Sequence, residues 1–435
     1  MPIQGRKYPQ VSVGNDFARQ GPTHDLPTGA HLESEILSVG ASLLRAVESL
    51  VHTVVKPGAG PVALARALGL DKVLASRVLK AIRQQDPVAS IFFMPGPEPL
   101  RAMVRAADRR GSPKRAVEAA AAAVADFERL IDVQIGDRSL LDSILSAWIP
   151  DARAEFELRR KQAAFKALSQ LRGVQADAVM ATCVLAPSQQ QGLMDVVWVH
   201  GLTGLHRVRP GVVVKIASRR MSSEPSARRA ARLDGRTIDD DAPPLLDEFC
   251  SDPTPEVRVH RVKDSMFYTL GGNGFGAGSA VDVMFAEVNR AELKHPSVLA
   301  AASRKPGSAG DRRGAYFFSE TVVPAKSLQF DLVVEESLFG TQEPMLRLYD
   351  TAFEGVADAF DPRRDLDRLD MLESIVPLGR GLTGVRSGVA PRYQELMHRV
   401  MREVGCDPAR FTTYRCAISY PLYGSQTAMV FPTPG

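Results

Sequence analysis

Cysteine is scarce in this chain of 435 residues. Only Cys183, Cys250, Cys406 and Cys416 are present. None belongs to a C-x-x-C pair and they are spread over more than half the chain, which argues against a zinc ribbon or a disulfide scaffold. Aromatic residues are also thin, at 6%. That is too few to line a single-strand nucleic-acid track with stacking platforms. Neither sign of charge dominates. The formal net charge is +4, so any basic surface has to be local. Long apolar runs are missing as well. The most apolar helical stretch, Ala116 to Ala125, is mostly alanine and is interrupted by Glu118, so no membrane span is expected. Basic residues near the N-terminus have no apolar run behind them, which excludes a secretory signal. A soluble, cytoplasmic protein follows, with no membrane partner and no cofactor, metal ligand set or catalytic residue marked by a motif.

What is present is the composition of an ordinary globular protein, 45% hydrophobic and 24% charged, long enough for two or three domains. Residues 1–30 lack periodicity and read as a disordered tail. Residues 31–95 and 96–172 carry helical patterns, the second a linker or dimerisation region. Its last helix, Arg153 to Leu171, shows Phe156, Ala163, Ala164, Ala167, Leu168 and Leu171 on one face. Ile91 to Met94 reads as a short strand before Pro95. From Gly173 the pattern changes to short alternating runs, including Ala178 to Leu185, Met194 to Val199, Leu205 to Val208, Val281 to Val288 and Leu328 to Glu335. One helix, Pro391 to Val404, interrupts them, with Tyr393, Leu396, Met397, Val400 and Met401 inward. The expected fold class is α+β: an N-terminal all-α part, and a mostly antiparallel α+β domain over residues 173–435 serving as sensor or scaffold.

The most specific local pattern runs from Pro61 to Ile82. Pro61 suits a first helical turn, Leu64 and Leu68 point inward, and Gly69 allows a sharp turn with φ > 0. Asp71 suits the N-cap of a second helix, with Ala75, Val78, Leu79 and Ile82 packed inward. Lys72, Val73, Ser76, Arg77, Lys80 and Arg83 are left on the outer face, basic with no acidic residue until Asp86. This run resembles the helix-turn-helix of winged-helix bacterial regulators of the IclR type, through Leu64-Ala65, Ala67, Gly69-Leu70, Lys72, Arg77 and Leu79. The resemblance covers about Leu43 to Ile82 and implies a duplex-DNA contact, with Ser76 and Arg77 reading bases and Lys80 and Arg83 meeting phosphates. The wing that should follow has only Ile91 to Gly96 to form it.

Other features are weaker. Gly271 to Gly278 lacks both phosphate-loop and dinucleotide spacing and reads as a flexible connection. His200 and His206 flank a Gly201-Leu202-Thr203-Gly204 turn, with no third ligand for a metal. The same four residues recur at Gly381 to Gly384. Cys183 and Cys416 fall in expected strands as core residues. The arginine-rich stretch from Arg219 to Arg236 and the aspartates at 239–241 share one long solvated loop.

The expectation is a homodimeric DNA-binding transcriptional regulator, partnered by double-stranded DNA and a small-molecule effector. Two alternatives stay open: an assembly protein whose helix-turn-helix contacts protein, and an enzyme with its site in the C-terminal domain.

Overall fold

The computed structural model describes residues 29–84, 86–220, 230–238, 243–263, 265–298 and 314–432. Residues 1–28 of the expected tail, residues 221–229 of the arginine-rich stretch and the aspartates at 239–241 lie outside them, while Gly29 and Ala30, expected in the tail, begin a helix. The chain divides into two compact units, Met1–Arg153 and Ala154–Gly435.

The first unit is helical: α1 (Gly29–Val54), α2 (Pro61–Leu68), α3 (Lys72–Ile82), α4 (Pro87–Phe93), α5 (Pro97–Arg109), α6 (Lys114–Arg129) and α7 (Arg138–Ser146), with a π-helical turn at Leu130–Ile135 after α6. Leu43, Leu64, Val78, Ile91, Leu100 and Phe127 form part of its buried core. The α2–α3 turn is built as the residues predict. Gly69 is left-handed, at φ 68 and ψ 38, and the Asp71 carboxylate accepts from the Val73 and Leu74 amides.

The segment after α3 departs from expectation. Ile91 to Met94 is not a strand and forms no wing; it belongs to α4 and its C-cap. Asp86 and Pro87 explain the difference. The carboxylate of Asp86 accepts from the Val88 and Ala89 amides, and Pro87 supplies a φ already suited to a first turn. At the other end the Arg138 guanidinium donates to the carbonyls of Ile91 and Phe92 at 2.9 and 3.0 Å. Val88, Ala89, Ile91 and Phe92 are buried, so the run is apolar because it enters the core.

Helix α8 (Pro150–Arg172) leads into the second unit. Its buried face is also not the expected one. Leu171 is 73% exposed, whereas Lys161, Phe165 and Ser169 are buried. Lys161 pairs with the equally buried Glu373, so a charge occupies a position that hydrophobicity alone assigns to solvent.

The second unit is dominated by β-structure. Its strands are β1 (Val174–Pro187), β2 (Leu193–Arg207), β3 (Lys215–Arg220), β4 (Val257–Val262), β5 (Ser265–Leu270), β6 (Val281–Lys294), β7 (Gly314–Glu320), β8 (Ala325–Glu335), β9 (Met345–Asp350), β10 (Ile375–Arg380), β11 (Phe411–Ser419) and β12 (Ser425–Pro432). A six-stranded sheet has the order β10-β11-β8-β1-β2-β6, and two three-stranded sheets have the orders β7-β12-β9 and β3-β5-β4. Among the described strand pairs, β1–β8 alone is parallel. The α+β class is therefore as expected. Helix α9 (Tyr393–Val404) packs its buried Tyr393, Leu396, Met397, Val400 and Met401 against one face of the large sheet, beside Met180, Val184, Val197 and Val199. The alternate residues of the same strands, Val179, Ala181, Cys183, Leu202 and Phe330, pack on the other face with Ile216 and Tyr268 of the β3–β5 hairpin and Phe317 of β7.

Met194 to Val199 and Leu205 to Val208, expected as separate strands, are one strand. Gly201 to Gly204 is a bulge inside β2 and not a turn, with a register shift against β6 between Leu202 and Leu205. Gly204 takes φ +59, and its amide donates to Asp282 Oδ1 at 2.8 Å. A side-chain carboxylate thus replaces the ladder partner that the bulge removes.

Candidate functional site

The six residues expected to face DNA lie where periodicity puts them. Lys72, Val73, Ser76, Arg77, Lys80 and Arg83 are all exposed on α3 or its C-cap. Two of them have local partners: the Lys80 ammonium sits 3.8 Å from the centroid of the Phe93 ring, and Arg83 Nη2 donates to the Ala59 carbonyl at 3.5 Å. The helix ends at Ile82.

A more enclosed arrangement lies in the second unit. A cavity of about 460 Å³ opens between the large sheet and the edges of the smaller ones. Its floor comes from β2 and β6. His200 and Leu202 alternate with buried neighbours along β2, and His200 stands directly across from Phe285 of β6. Its imidazole is stacked between Trp198 and Phe285, with ring centroids 5.4 Å away on each side. The walls come from Ile216 to Ser218 of β3, Tyr268 of β5 and Phe318 to Glu320 of β7.

The polar groups reach the cavity for local reasons. Glu287 and Asn289 follow Phe285 at every second residue and share its face. Glu292 would fall on the opposite face in a regular strand. Ala291, however, has φ +50, and the β2–β6 register shifts between Met194 and Val196. The buried Asp195 holds this irregularity by accepting from the Ala291 amide and from Arg290 Nη1, each at 2.7 Å. Glu292 consequently joins Glu287 in the same lining. The β3–β5 wall is tied down by the buried Arg207, which donates to the carbonyls of Val212, Leu270 and Gly271 at 2.8, 2.6 and 3.3 Å.

The electrostatics follow from enclosure. Burial pushes the His200 imidazole down to about 4, so it is neutral at physiological pH. Its ring nitrogens make no hydrogen bond among the described residues, which leaves the polar edge of the ring uncommitted at the cavity. The Glu320 carboxyl is pushed up by burial and drawn partly back by Lys215. His206, expected to be equivalent to His200, is not part of this site. Its ring bonds Gln175 Nε2 at 3.1 Å and the Gly204 carbonyl at 2.9 Å.

A second polar group lies under α9, on the opposite face of the large sheet. Asp331 of β8 has a fully buried side chain and accepts from Arg415 Nε and Nη2 at 2.7 and 2.6 Å. It also accepts from the Tyr393 hydroxyl at 2.6 Å and from Gln329 Nε2 at 3.2 Å. Tyr393 spends its one proton on Asp331, so Thr182 donates to the Tyr393 oxygen at 2.7 Å. Burial and the Asp331 charge push the Tyr393 phenol well up. The residues of this closed network hold helix to sheet.

Sequence reasoning singled out His200 but read it as a turn residue, and missed the cavity carboxylates and Asp331. A signal existed for Asp331, a lone charge inside the apolar run Phe330 to Val334. No comparable signal marks Glu287, Asn289 or Glu320, which alternate along their strands as solvent-facing residues do. Cys183 and Cys416 are buried in strands as expected, with both thiols pushed up by burial, Cys416 to about 12.

No protein family model matches the chain, and no curated protein is similar to it. Among solved structures, similarity is found to an M1 zinc metallopeptidase from Deinococcus radiodurans, at 8% identity and a TM-score of 0.22. A mutant of that peptidase bound to a Tyr-Ser-Ala substrate gives 9% identity and a TM-score of 0.23. Both alignments cover 59% of this chain and 42% of the peptidase chain. These structures are described as peptidases and not as regulators, and the winged module has a buried helix where its wing should be. The expectation of a DNA-binding transcriptional regulator is corrected accordingly. The likeness brings no peptidase activity to this chain either. Its described residues contain no group of three or more His, Cys, Asp or Glu placed to hold a metal ion.

Proposed function

We propose that the second unit is a binding module that holds a small organic molecule in the cavity between its sheets. One observation carries this reading: the polar edge of His200 faces a cavity of about 460 Å³ and has no hydrogen-bond partner among the described residues. The half-buried imidazole is stacked between two rings, so its polar edge is presented to whatever enters the cavity. The volume falls within the range of small-molecule sites, which join apolar walls to a few placed polar groups. Phe285, Phe318 and Tyr268 supply the walls here, and His200, Asn289 and Ser218 the directional groups.

Thermal denaturation of the full chain across a library of small metabolites tests the proposal. A compound present at a hundred times its dissociation constant stabilises the folded state by about 2.7 kcal/mol. Ala217→Trp, which fills the cavity from β3, is expected to abolish that response while leaving a cooperative transition. Ligand-induced stabilisation that persists in Ala217→Trp would place binding elsewhere and remove this assignment.

A further inference from the structure

We infer that the ligand of this cavity is a short free peptide in extended conformation, which adds as a strand to the open edge of β7. The inference rests on the binding-module reading above and names the class of ligand. Its first support is how the cavity meets the two small sheets. β3 and β7 are each the outer strand of a three-stranded sheet. Successive side chains of β7 turn to opposite sides: Phe317 packs toward the large sheet, Tyr316 and Phe318 beside Phe360. Yet Phe318, Ser319 and Glu320 all line the cavity, as do Ile216, Ala217 and Ser218 of β3. Three residues in a row reach one space from a strand's edge, because each face shows only alternate residues. The backbone register says which groups the edges offer. The Thr321 amide donates to the Ser425 carbonyl beside β12, and alternation then turns the N–H and C=O of Phe318 and Glu320 away from β12. On the other wall the Leu270 amide donates to the Val214 carbonyl, so β5 bonds β3 through Leu270, Tyr268 and Met266. Tyr268 and Met266 oppose Ala217 and Arg219, which leaves the N–H and C=O of Ser218 on the outer edge. On those edges Ser218, Phe318 and Glu320 have no backbone partner among the described residues.

The second support is the contrast with the other sheet edges. An unpaired edge is a template for another chain, and proteins guard it with charges, proline, bulges or a covering segment. The other outer strands carry such guards. Ala231 and Leu245 bridge to β6, and Arg368 and Leu369 bond to β9. β10 contains Pro377 and a register shift beside it, β4 contains Arg258, His260 and Arg261, and β3 has a shift between Lys215 and Ala217. β7 contains no proline, lysine or arginine, and its register with β12 is unbroken from Gly314 to Glu320. An unguarded edge that opens on an apolar cavity suits strand addition, in which main-chain bonds give affinity and pockets take alternate side chains. Leu202, Ile216, Phe285 and Val322 receive an apolar side chain, and the neutral imidazole of His200 can meet a main-chain N–H or C=O. A volume of about 460 Å³ suits a ligand of a few residues and not a folded protein.

Hydrogen exchange and isothermal titration on the full-length protein test this, with a pool of acetylated and amidated pentapeptides of leucine, valine, phenylalanine and threonine as the probe. In the protein alone the Phe318 and Glu320 amides are expected to exchange as exposed amides do, and the pool is expected to slow them about tenfold or more. The same pool with its amides N-methylated has lost its N–H donors and is expected to bind about tenfold more weakly, or about 1.4 kcal/mol. Glu320→Pro removes an outward N–H that the sheet does not use, a change that edge strands accept, and is expected to weaken binding similarly. Glu320→Gln keeps that N–H and is expected to leave binding unchanged. Melting curves of both variants establish that the fold survives. Protection of Phe318 and Glu320 in the protein alone would mean that the edge is already paired and would overturn the inference. Equal binding of the N-methylated pool, unchanged binding in Glu320→Pro, or peptide binding that survives Ala217→Trp would overturn it too. A metabolite that binds in the cavity where no peptide does would overturn the peptide class and leave the binding module standing. Binding of neither would count against both readings.

Discussion

Asp331 shows how much one side chain can determine in this fold. A carboxylate without solvent exposure is costly to bury, and only near-complete satisfaction makes it tolerable. Arg415, Tyr393 and Gln329 provide that satisfaction from strand and helix together. Asp331→Ala leaves Arg415 without its counter-charge and is expected to cost about 3–5 kcal/mol in denaturant unfolding. Tyr393→Phe removes one hydrogen bond and keeps the ring, so a loss of about 1–2 kcal/mol is expected. Equal losses from the two changes would mean that the ion pair contributes little. His200 gives a different residue-level expectation. Its folded pKa of about 4 lies below the ordinary 6.5. Between these values the unfolded chain binds a proton that the folded chain does not. Stability therefore rises with pH across that window and is flat in this respect above it. The full effect is roughly 3 kcal/mol. His200→Phe, which keeps a ring between Trp198 and Phe285, should flatten the slope between pH 4 and 6.5. Persistence of the wild-type slope in that variant would mean that other groups set it.

At the level of elements, legibility followed from whether apolar residues signal burial on one face. Helix α9 was readable because its inward residues are all apolar and spaced by three and four. So was the Gly69–Asp71 turn, where two residues have narrow conformational roles. Helix α8 was misread because Lys161 and Ser169 occupy its buried stripe. Strand β12 went unread because it is central between β7 and β9 and buried on both faces, Ser425, Gln426 and Thr427 included, so it shows no alternation. The cavity was invisible because its carboxylates are polar residues at alternate positions and become interior only when a second sheet covers them. Helix α4 was misread because four apolar residues before a proline suit strand and helix equally, and its identity depends on the cap. Asp86→Ala is expected to cost about 1 kcal/mol and to accelerate amide exchange at Ser90 and Met94, whose amides donate to the Asp86 and Ser90 carbonyls. Unchanged protection there would mean that Arg138 and core packing hold α4 without its cap.

At the level of the whole molecule, the two-unit division and the placement of His200 lead to a joint expectation. No described helix is long and apolar enough to cross a membrane. Each unit has its own buried core, and units with separate cores can unfold in separate transitions. Proton linkage acts only on the transition that exposes the linked group. His200 lies on β2, inside the second unit, and its depressed pKa arises from burial there. Heat-capacity traces at pH 5 and pH 7 should therefore show two transitions, and His200→Phe should change the pH dependence of only one. That one is also the transition that a ligand of the cavity is expected to shift upward, because His200 lines the same cavity. A single transition whose pH dependence responds to His200→Phe would mean that the units unfold as one cooperative body. Two transitions that both respond would mean that the effect of His200 extends beyond its own core.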